Sequence, residues 1–310
     1  MYIQRFTSGL GNQMFQYAFH LYLKDKYPEE RILADISWYS WNEAHQGFEL
    51  ERLFKRDDNP DFVFEKASVF ETFCCSGAVP QTGKLPYIFN RLTRLCAGKH
   101  FEKIRYSETG REKENTLKEK IDNLPKGRNI YITGYFLDEA YYKDNLERIR
   151  RALSFSEKPE DIGEENAALL REIKDGNSVC IHVRRGDYLN KGYTEAFVNL
   201  GMDYYKKAVE TALQRLSDVR YYIFSDDKEF INSAFDWLPE KTPVTYNTGD
   251  RSYIDMLLMS RSKCLISANS TFSEWAGLLN TGPDSFIIYP REYLKEKDSD
   301  IHTLPGWVRI

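Results

Sequence analysis

In the second half of the chain, short apolar runs alternate with longer segments whose apolar residues recur at helical spacing. This order of elements is typical of a parallel α/β sheet. Short runs rich in β-branched and aromatic residues predict strands, and longer segments with apolar residues at helical spacing separate them. Strands that alternate with helices imply βαβ units, so we expect a parallel sheet. The predicted strands are 178–183, 220–225, 242–247, 263–268 and 285–290, and the predicted helices are 201–216, 227–235, 252–260 and 271–280.

The first half carries a weaker pattern of the same kind. Residues 37–129 show no clear period, and we expect helices and long loops there. The predicted elements are strands at 2–6, 31–36 and 129–136, a helix over Asn12–Lys26, and a helix that Asp138 caps and that runs to Leu153.

A charged segment with Pro and Gly separates the two halves. This segment, "SFSEKPEDIGEEN" (Ser154–Asn166), is typical of a linker. We therefore expect two domains, residues 1–155 and 156–310.

Composition narrows the function classes. The formal net charge of −4 argues against a nucleic-acid-binding protein, although it leaves room for a local basic pocket. The odd count of five cysteines, with no CxxC spacing, favours a reducing compartment. The sequence shows neither a secretory signal nor an apolar run near the ~20 residues of a membrane helix. We expect a cytoplasmic protein and leave peripheral contact with the inner membrane open.

Three polar clusters follow predicted strands in the second half. They are His182–Asp187, Ser225–Asp227 and Ser267–Ser273. The carboxyl ends of parallel strands lie at one edge of a sheet, and ligands bind there. We therefore expect the three clusters to converge on one site.

The first cluster, "HVRRGDY", indicates an anion site. Arg184 could hold a phosphate through two hydrogen bonds, and Gly186 allows a tight turn. Asp187 could orient an arginine, accept a proton or cap the loop. The structural alternative is a surface cluster of ion pairs.

The stretch "SANSTFSEW" predicts the start of a helix. Thr271 and Glu274 have capping-box spacing, and free N–H groups at a helix start bind phosphate. Ser270, Thr271 and Ser273 could add hydroxyl groups, and ordinary capping is the alternative.

Two other stretches have both structural and functional interpretations. "SGLGNQ" lacks the spacing of known phosphate loops, and Asn12 could simply cap the next helix, yet Asn12 and Gln13 carry amides that can bind sugar or phosphate. Asp226 and Asp227 in "FSDD" could bind a base, a ribose or a divalent metal, or cap the next helix. Asp298–Asp300 fits a D-x-D metal motif but lies in a charged tail.

Together these motifs resemble the α-1,2-fucosyltransferases of glycosyltransferase family 11. "GLGNQMFQYA", "HVRRGDY", "FSDD" and "ISANSTFSEWAGLL" agree in order and spacing over nearly the whole chain. "FELERLF" and "GYF" (Gly134–Phe136) are also similar. The form without a membrane anchor resembles the bacterial members.

The resemblance implies a GT-B fold, with two Rossmann-like domains facing a cleft. The C-terminal domain would bind the donor GDP-β-L-fucose, and the N-terminal domain would bind the acceptor. The acceptor would be a terminal β-galactoside, on an oligosaccharide or a glycolipid, that receives fucose on its 2-hydroxyl with inversion. No metal and no cofactor would be required, because an arginine replaces the cation.

The resemblance also assigns roles by position. Arg184 would bind the diphosphate, with Arg185 beside it, His182 near the nucleotide and Asp226 on the nucleotide side. Asp187 is the candidate base, although a phosphate oxygen could take the proton instead. The remaining donor-binding candidates are Gly11, Asn12, Gln13, Asn269, Ser270, Thr271 and Phe272.

The sequence leaves two alternatives open. One is a metal-dependent transferase of another nucleotide sugar that uses Asp226 and Asp227 or Asp298–Asp300. The other is a nucleotide- or glycan-binding module without turnover.

Acceptor choice would depend on residues 37–129, where Trp38 and Trp41 could stack on sugars or pack in the core.

Overall fold

The computed structural model describes residues 1–40, 42, 45–76, 101–105, 118–186, 198–293, 295 and 306–310, with backbone alone at 101–105. The chain divides into two compact units, Met1–Ser154 and Phe155–Ile310. Each unit contains its own parallel sheet.

The sheet of the first unit has the strand order β2-β1-β4-β3, and every pairing is parallel. Its strands are β1 (Tyr2–Arg5), β2 (Ile32–Asp35), β3 (Phe101–Arg105) and β4 (Asn129–Thr133). Its helices are α1 (Leu10–Lys26), α2 (Leu50–Phe54), α3 (Val69–Ser76) and α4 (Leu146–Ala152), with a further helical stretch at 118–122.

The sheet of the second unit has the order β10-β9-β8-β5-β6-β7, again with parallel pairings throughout. Its strands are β5 (Ser178–Val183), β6 (Arg220–Ser225), β7 (Lys241–Val244), β8 (Cys264–Ile266), β9 (Phe286–Tyr289) and β10 (Val308–Arg309). Its helices are α5 (Pro159–Ile162), α6 (Glu164–Asp175), α7 (Met202–Leu213), α8 (Lys228–Ala234), α9 (Tyr253–Met259) and α10 (Thr271–Leu278).

The order of the second sheet is that of a Rossmann fold. Read from β7, the strands follow the 3-2-1-4-5-6 order of a nucleotide-binding sheet. The order reverses between β5 and β8. β5 pairs with a strand along each of its edges, and all six of its residues are buried, as is typical of a central strand in a parallel sheet.

Close packing at Gly277 joins the last strand of this sheet to α10. A Cβ atom at Gly277 would lie 2.9 Å from the indole ring of Trp307, closer than packed atoms approach. Trp307 also contacts the ring of Tyr289 in β9. Glycine therefore lets the indole lie directly against the helix.

The first turn of α1 differs from the prediction. Gly9 occupies the N-cap with extended backbone, and the Gln13 N–H donates to its carbonyl oxygen. Asn12 lies within the helix, so its predicted capping role is wrong.

The segment after β4 also differs from the prediction. Asp138 accepts a hydrogen bond from the Ala140 N–H, but the residues it caps form two 3₁₀ turns before α4 begins. Tyr141 and Tyr142 are both buried there, against Phe19 and Phe15 of α1. The two tight turns accommodate these aromatic contacts. The prediction of one continuous helix from Asp138 to Leu153 is therefore wrong for the residues before α4.

The sequence pattern did not predict β3 and β10, and the predicted linker contains the short helix α5. Among the described residues, none of the helices combines the length and the apolar character needed to cross a bilayer.

Candidate active site

The loops that follow β5 and β8 meet where the strand order reverses. His182 is the penultimate residue of β5 and Phe272 is the second residue of α10, and their rings lie 5.7 Å apart. These are two of the three clusters that the sequence predicted to converge. A crevice at such a reversal is where open α/β sheets bind their ligands.

The third cluster joins this edge through an ion pair. Arg184, just after β5, pairs through Nη1 with Oδ2 of Asp226, just after β6, at 3.0 Å. Each side chain is 25% exposed. The guanidinium is therefore held at the edge of the sheet while part of it faces solvent.

Asp226 also organises the backbone of the Arg-Arg-Gly turn. Its Oδ1 accepts hydrogen bonds from the N–H groups of Arg185 and Gly186, both at 3.0 Å. Burial raises the pKa of Asp226, but Arg184 and the two N–H groups outweigh it and hold that pKa below its usual value. A Cβ atom at residue 186 would lie 3.1 Å from Oδ2 of Asp226, so the carboxylate fits closely against this glycine.

Arg185 is held differently from Arg184. Its Nε donates to Oδ2 of Asp227 at 3.1 Å, and its guanidinium lies over the ring of Phe230, 4.1 Å from the centroid. Asp227 also caps α8, because its Oδ1 accepts from the Phe230 N–H. The predicted capping role therefore belongs to Asp227, whereas Asp226 binds the turn.

His182 is buried beside this arginine cluster. The residue is 4% exposed, and its Nδ1 has no hydrogen-bond partner among the described residues. Burial, and next the charge of Arg184, lower its pKa to about 3. The imidazole is therefore neutral near pH 7.

The start of α10 is capped by Ser270 and not by Thr271. The Ser270 Oγ accepts from the Phe272 N–H, and the Ser270 carbonyl accepts from the Glu274 N–H. The capping box predicted from Thr271 and Glu274 is thus wrong by one residue. Thr271 and Phe272 are partly exposed in the first turn of the helix.

Asn269 is almost fully buried in the same loop. Its Nδ2 donates to the carbonyl oxygens of Val198 (2.8 Å) and Tyr293 (3.0 Å). Both N–H donors of the amide therefore hold the protein backbone. The structure shows a loop-fixing role for this predicted donor-binding residue.

In the first unit, the loop after β1 lies beside the loop after β4. Gln16 links them, since its Oε1 accepts from the Thr7 N–H and its Nε2 donates to the Gly134 carbonyl. The Ser8 hydroxyl also bonds to that of Tyr135 at 3.0 Å.

The three predicted residues of this loop differ in accessibility. Gly11 and Gln13 are buried, and Asn12 between them is partly exposed. Gln13 bonds to the backbone of Ser8, Gly47 and Glu49. Asn12 is thus the member of the trio whose side chain reaches the surface.

Several predicted residues lie outside the described part of the chain. They are Asp187, Trp41 and Asp298–Asp300. Trp38 is described, and it lies in a 3₁₀ turn with its ring 5.0 Å from that of Tyr39. The stacking prediction for Trp38 and Trp41 stays a prediction.

A buried polar network next to the site was not predicted. Asp255 accepts from Nδ2 of Asn247 at 2.8 Å and pairs with Nζ of Lys228 at 3.4 Å, while Asn247 exchanges hydrogen bonds with Asn166. Burial raises the pKa of Asp255 to about 6. The partners lie far apart in sequence, so no local motif could have indicated them.

The structure resembles that of the fucosyltransferase NodZ from Bradyrhizobium, with a TM-score of 0.54, 17% identity and coverage of 90% of this chain and 91% of that one. NodZ has also been crystallised with GDP. The fold is of the GT-B type, as the resemblance to family 11 implied.

The sequence profile of glycosyl transferase family 11 matches residues 99–310. An α-1,2-colitosyltransferase of Escherichia coli is 30% identical over 99% of this chain and 98% of its own length. The O-antigen biosynthesis glycosyltransferase WbnK of Escherichia coli is 26% identical over 98% of each chain. The chain belongs to glycosyl transferase family 11 and is a glycosyltransferase.

Proposed function

We propose that the enzyme is an inverting α-1,2-fucosyltransferase. It transfers L-fucose from GDP-β-L-fucose to the 2-hydroxyl of a terminal β-galactoside, without a metal. The second unit binds the donor and the first unit binds the acceptor. We expect it to act in the cytoplasm, on an oligosaccharide or glycolipid acceptor.

The observation that carries the proposal is the position of Arg184. It lies at the carboxyl end of β5, where the order of a Rossmann sheet reverses, and Asp226 orients it. The buried His182 of β5 and the start of α10, which follows β8, flank this reversal, and the rings of His182 and Phe272 lie 5.7 Å apart. A guanidinium and a helix start at one edge of a sheet are both groups that bind the phosphates of a nucleotide.

The transfer makes one bond and breaks another. The acceptor 2-oxygen attacks the anomeric carbon of fucose from the face opposite the diphosphate, and the bond from that carbon to the diphosphate oxygen breaks. The electron pair goes to GDP, and Arg184 stabilises the negative charge that develops there. Attack from the opposite face converts the β-linked donor into an α-linked product.

The acceptor proton requires a base. Asp187 is our candidate, and a phosphate oxygen of the donor is the alternative. His182 stays neutral because of its burial, so it can bond to the nucleotide without adding charge.

The ion pairs that Asp226 and Asp227 form with arginines support a metal-independent reaction. Both carboxylates are paired with arginines, and Asp227 also caps a helix. A divalent cation bound by these aspartates would have to displace both ion pairs. Arg184 supplies positive charge at the place where a cation would act.

A second donor deserves a direct test because a relative is named for it. Colitose is L-fucose without the 3-hydroxyl, and the α-1,2-colitosyltransferase is 30% identical to this chain. A site that hydrogen-bonds a hydroxyl rejects the analogue that lacks it. Comparing the two donors therefore identifies the sugar.

The first experiment measures GDP release in EDTA, with GDP-fucose or GDP-colitose as donor and with or without lactose. We expect release from GDP-fucose that depends on lactose, and NMR of the product then gives the linkage. Titration of GDP by calorimetry, in the same buffer, measures nucleotide binding separately.

Three other outcomes would each change a different part of the proposed function. Release only from GDP-colitose would change the donor sugar. Release that requires Mn²⁺ or Mg²⁺ would overturn the metal-independent mechanism. GDP binding without release, across a panel of β-galactosides, would indicate a binding module.

A further inference from the structure

The buried amide of Gln13 has no N–H group left for a ligand. Gln13 is 0% exposed, and its Nε2 donates to the carbonyl oxygens of Ser8 (3.0 Å) and Gly47 (2.8 Å). An amide nitrogen has two protons, so both are in use. Its Oε1 accepts from the Glu49 N–H at 2.9 Å.

These hydrogen bonds join two separate segments. Ser8 belongs to the loop between β1 and α1, whereas Gly47 and Glu49 precede α2. The side chain of Gln13 therefore bridges the loop to a segment more than thirty residues further along the chain.

The loop itself adopts a backbone conformation that needs support. Ser8 has a φ of 68°, a left-handed value that a residue with a Cβ atom rarely adopts. Such a conformation persists where the surroundings enforce it. The Ser8 carbonyl accepts from both Gln13 and the Tyr39 hydroxyl, and the Ser8 hydroxyl bonds to Tyr135.

We propose that Gln13 is a positioning residue of the transfer reaction, which fixes the loop and the first turn of α1 so that Asn12 is presented in one orientation. Asn12 directly precedes Gln13, and its side chain is the partly exposed one in this turn. The inference rests on the proposed function and on the sequence-based prediction that Asn12 binds the donor, in addition to the donor contacts of the second unit. Gln13 thus acts through its neighbour and does not touch the substrate.

The main test replaces Gln13 by methionine, which keeps the length of the side chain and removes all three hydrogen bonds. A misplaced contact in an active site can cost on the order of 100-fold in rate, and we expect Gln13→Met to lower kcat by at least ~10-fold. GDP affinity should stay unchanged, because the second unit binds the nucleotide. Amides of residues 7–12 should exchange with deuterium faster than in the unaltered enzyme.

The matched control is Tyr17→Phe. Tyr17 is also buried on α1, and its hydroxyl bonds to the carbonyl and the N–H of Val63, away from the loop. This variant should keep its kcat and the exchange rates of 7–12. A general loss of packing in α1 would instead lower kcat in both variants.

A milder variant guards against misfolding. Tyr39→Phe removes one of the two donors to the Ser8 carbonyl and should change kcat and exchange in the same direction as Gln13→Met. Unchanged exchange at 7–12 in both variants, or unchanged kcat in both, would overturn the proposal. Failure of the unaltered enzyme to use either donor would instead overturn the proposed function, because exchange and GDP binding are measured without turnover.

Discussion

Arg184 and Arg185 are neighbours in sequence but differ in what holds them. Arg185 has a carboxylate at its Nε and the ring of Phe230 against its face, so its guanidinium serves the packing of α8. Arg184 pairs through Nη1 with a carboxylate that also binds the adjacent backbone. At the residue scale, this difference favours Arg184 as the group that meets the diphosphate.

Replacement of Arg184 by alanine should reduce turnover by more than ~100-fold, the scale for removing one group that stabilises transition-state charge. Arg184→Lys keeps the charge without the two-pronged geometry, so it should recover only part of the rate. The measurement is steady-state GDP release with acceptor. Near-normal turnover of Arg184→Ala would remove Arg184 from the mechanism.

The control for these variants is Arg220→Ala. Arg220 lies at the opposite end of β6 and pairs with Glu240 at the surface. Its loss should leave turnover unchanged, since it lies at the amino end of the strand. A similar fall in both alanine variants would indicate a nonspecific effect of removing an arginine.

Asp226→Asn should also lower turnover, by about 10-fold, because it weakens a charge-assisted hydrogen bond to Arg184. If the carboxylate acts mainly through Arg184, the same change should have little further effect in an Arg184→Ala background. A double-mutant cycle on kcat/KM measures this coupling. Additive effects would mean that Asp226 contacts the donor independently.

At the scale of elements, the start of α10 gives a paired test of capping. Ser270→Ala removes the side-chain acceptor of the Phe272 N–H and should reduce the free energy of unfolding by about 1 kcal/mol. Thr271→Ala, one residue later, should change it much less. Urea unfolding curves compare the two, and a larger loss for Thr271→Ala would restore the sequence-based assignment of the cap.

The strands of the second sheet could be predicted from sequence for a physical reason. A parallel strand covered on both faces is a mostly apolar run, and β5 and β6 are such runs, each followed directly by charged residues. The carboxyl ends of parallel strands lie at one edge of a sheet. This rule alone predicted that His182, Arg184, Asp226 and Ser270 lie near that edge, before any of their contacts were known.

Other features depended on partners that a local pattern does not contain. β10 has only two residues and pairs with β9 at the end of the sheet. The first backbone hydrogen bond of α1 runs from the Gln13 N–H to the Gly9 carbonyl, and no side chain among the described residues caps this helix start. A sequence search for a capping side chain therefore could not locate the start of the helix. The hydrogen bonds of Gln13 extend to Glu49, so sequence alone indicated a ligand-binding amide where the structure shows a buried bridge.

At the scale of the whole molecule, buried imidazoles should control the stability of the protein in acid. His20 is 0% exposed, neither of its ring nitrogens has a hydrogen-bond partner among the described residues, and burial lowers its pKa to about 3. His182 is lowered to a similar value. The unfolded chain takes up protons at both histidines below about pH 6.5, and the native state does not.

The stability from these two groups is therefore present above pH 6.5 and falls as the pH drops toward 3. Asp255 has the opposite effect, because its raised pKa of about 6 adds stability at low pH that is lost as the pH rises through 6. Two groups outweigh one, so the free energy of unfolding should rise between pH 4 and 6.5, by on the order of 1 kcal/mol per unit. Chemical denaturation across this range measures the slope.

His20→Leu should raise stability at pH 7 and flatten this pH dependence. The leucine keeps an apolar side chain between Phe6 and Phe64, and it removes two buried nitrogens that have no partner in the described part of the chain. Thermal and chemical unfolding at pH 5 and pH 7 provide the measurement. An unchanged slope would mean that His20 does not titrate differently in the two states.

The contact between Gly277 and Trp307 restricts how the two positions can vary during evolution. A methyl group at 277 would overlap the indole, so a relative that carries a larger residue there should carry a smaller one at the position of Trp307. The two positions should therefore change together among homologous sequences. Gly277→Ala should leave the protein folded only when Trp307 is replaced by a smaller residue. The effect of each substitution on stability would therefore depend on the other.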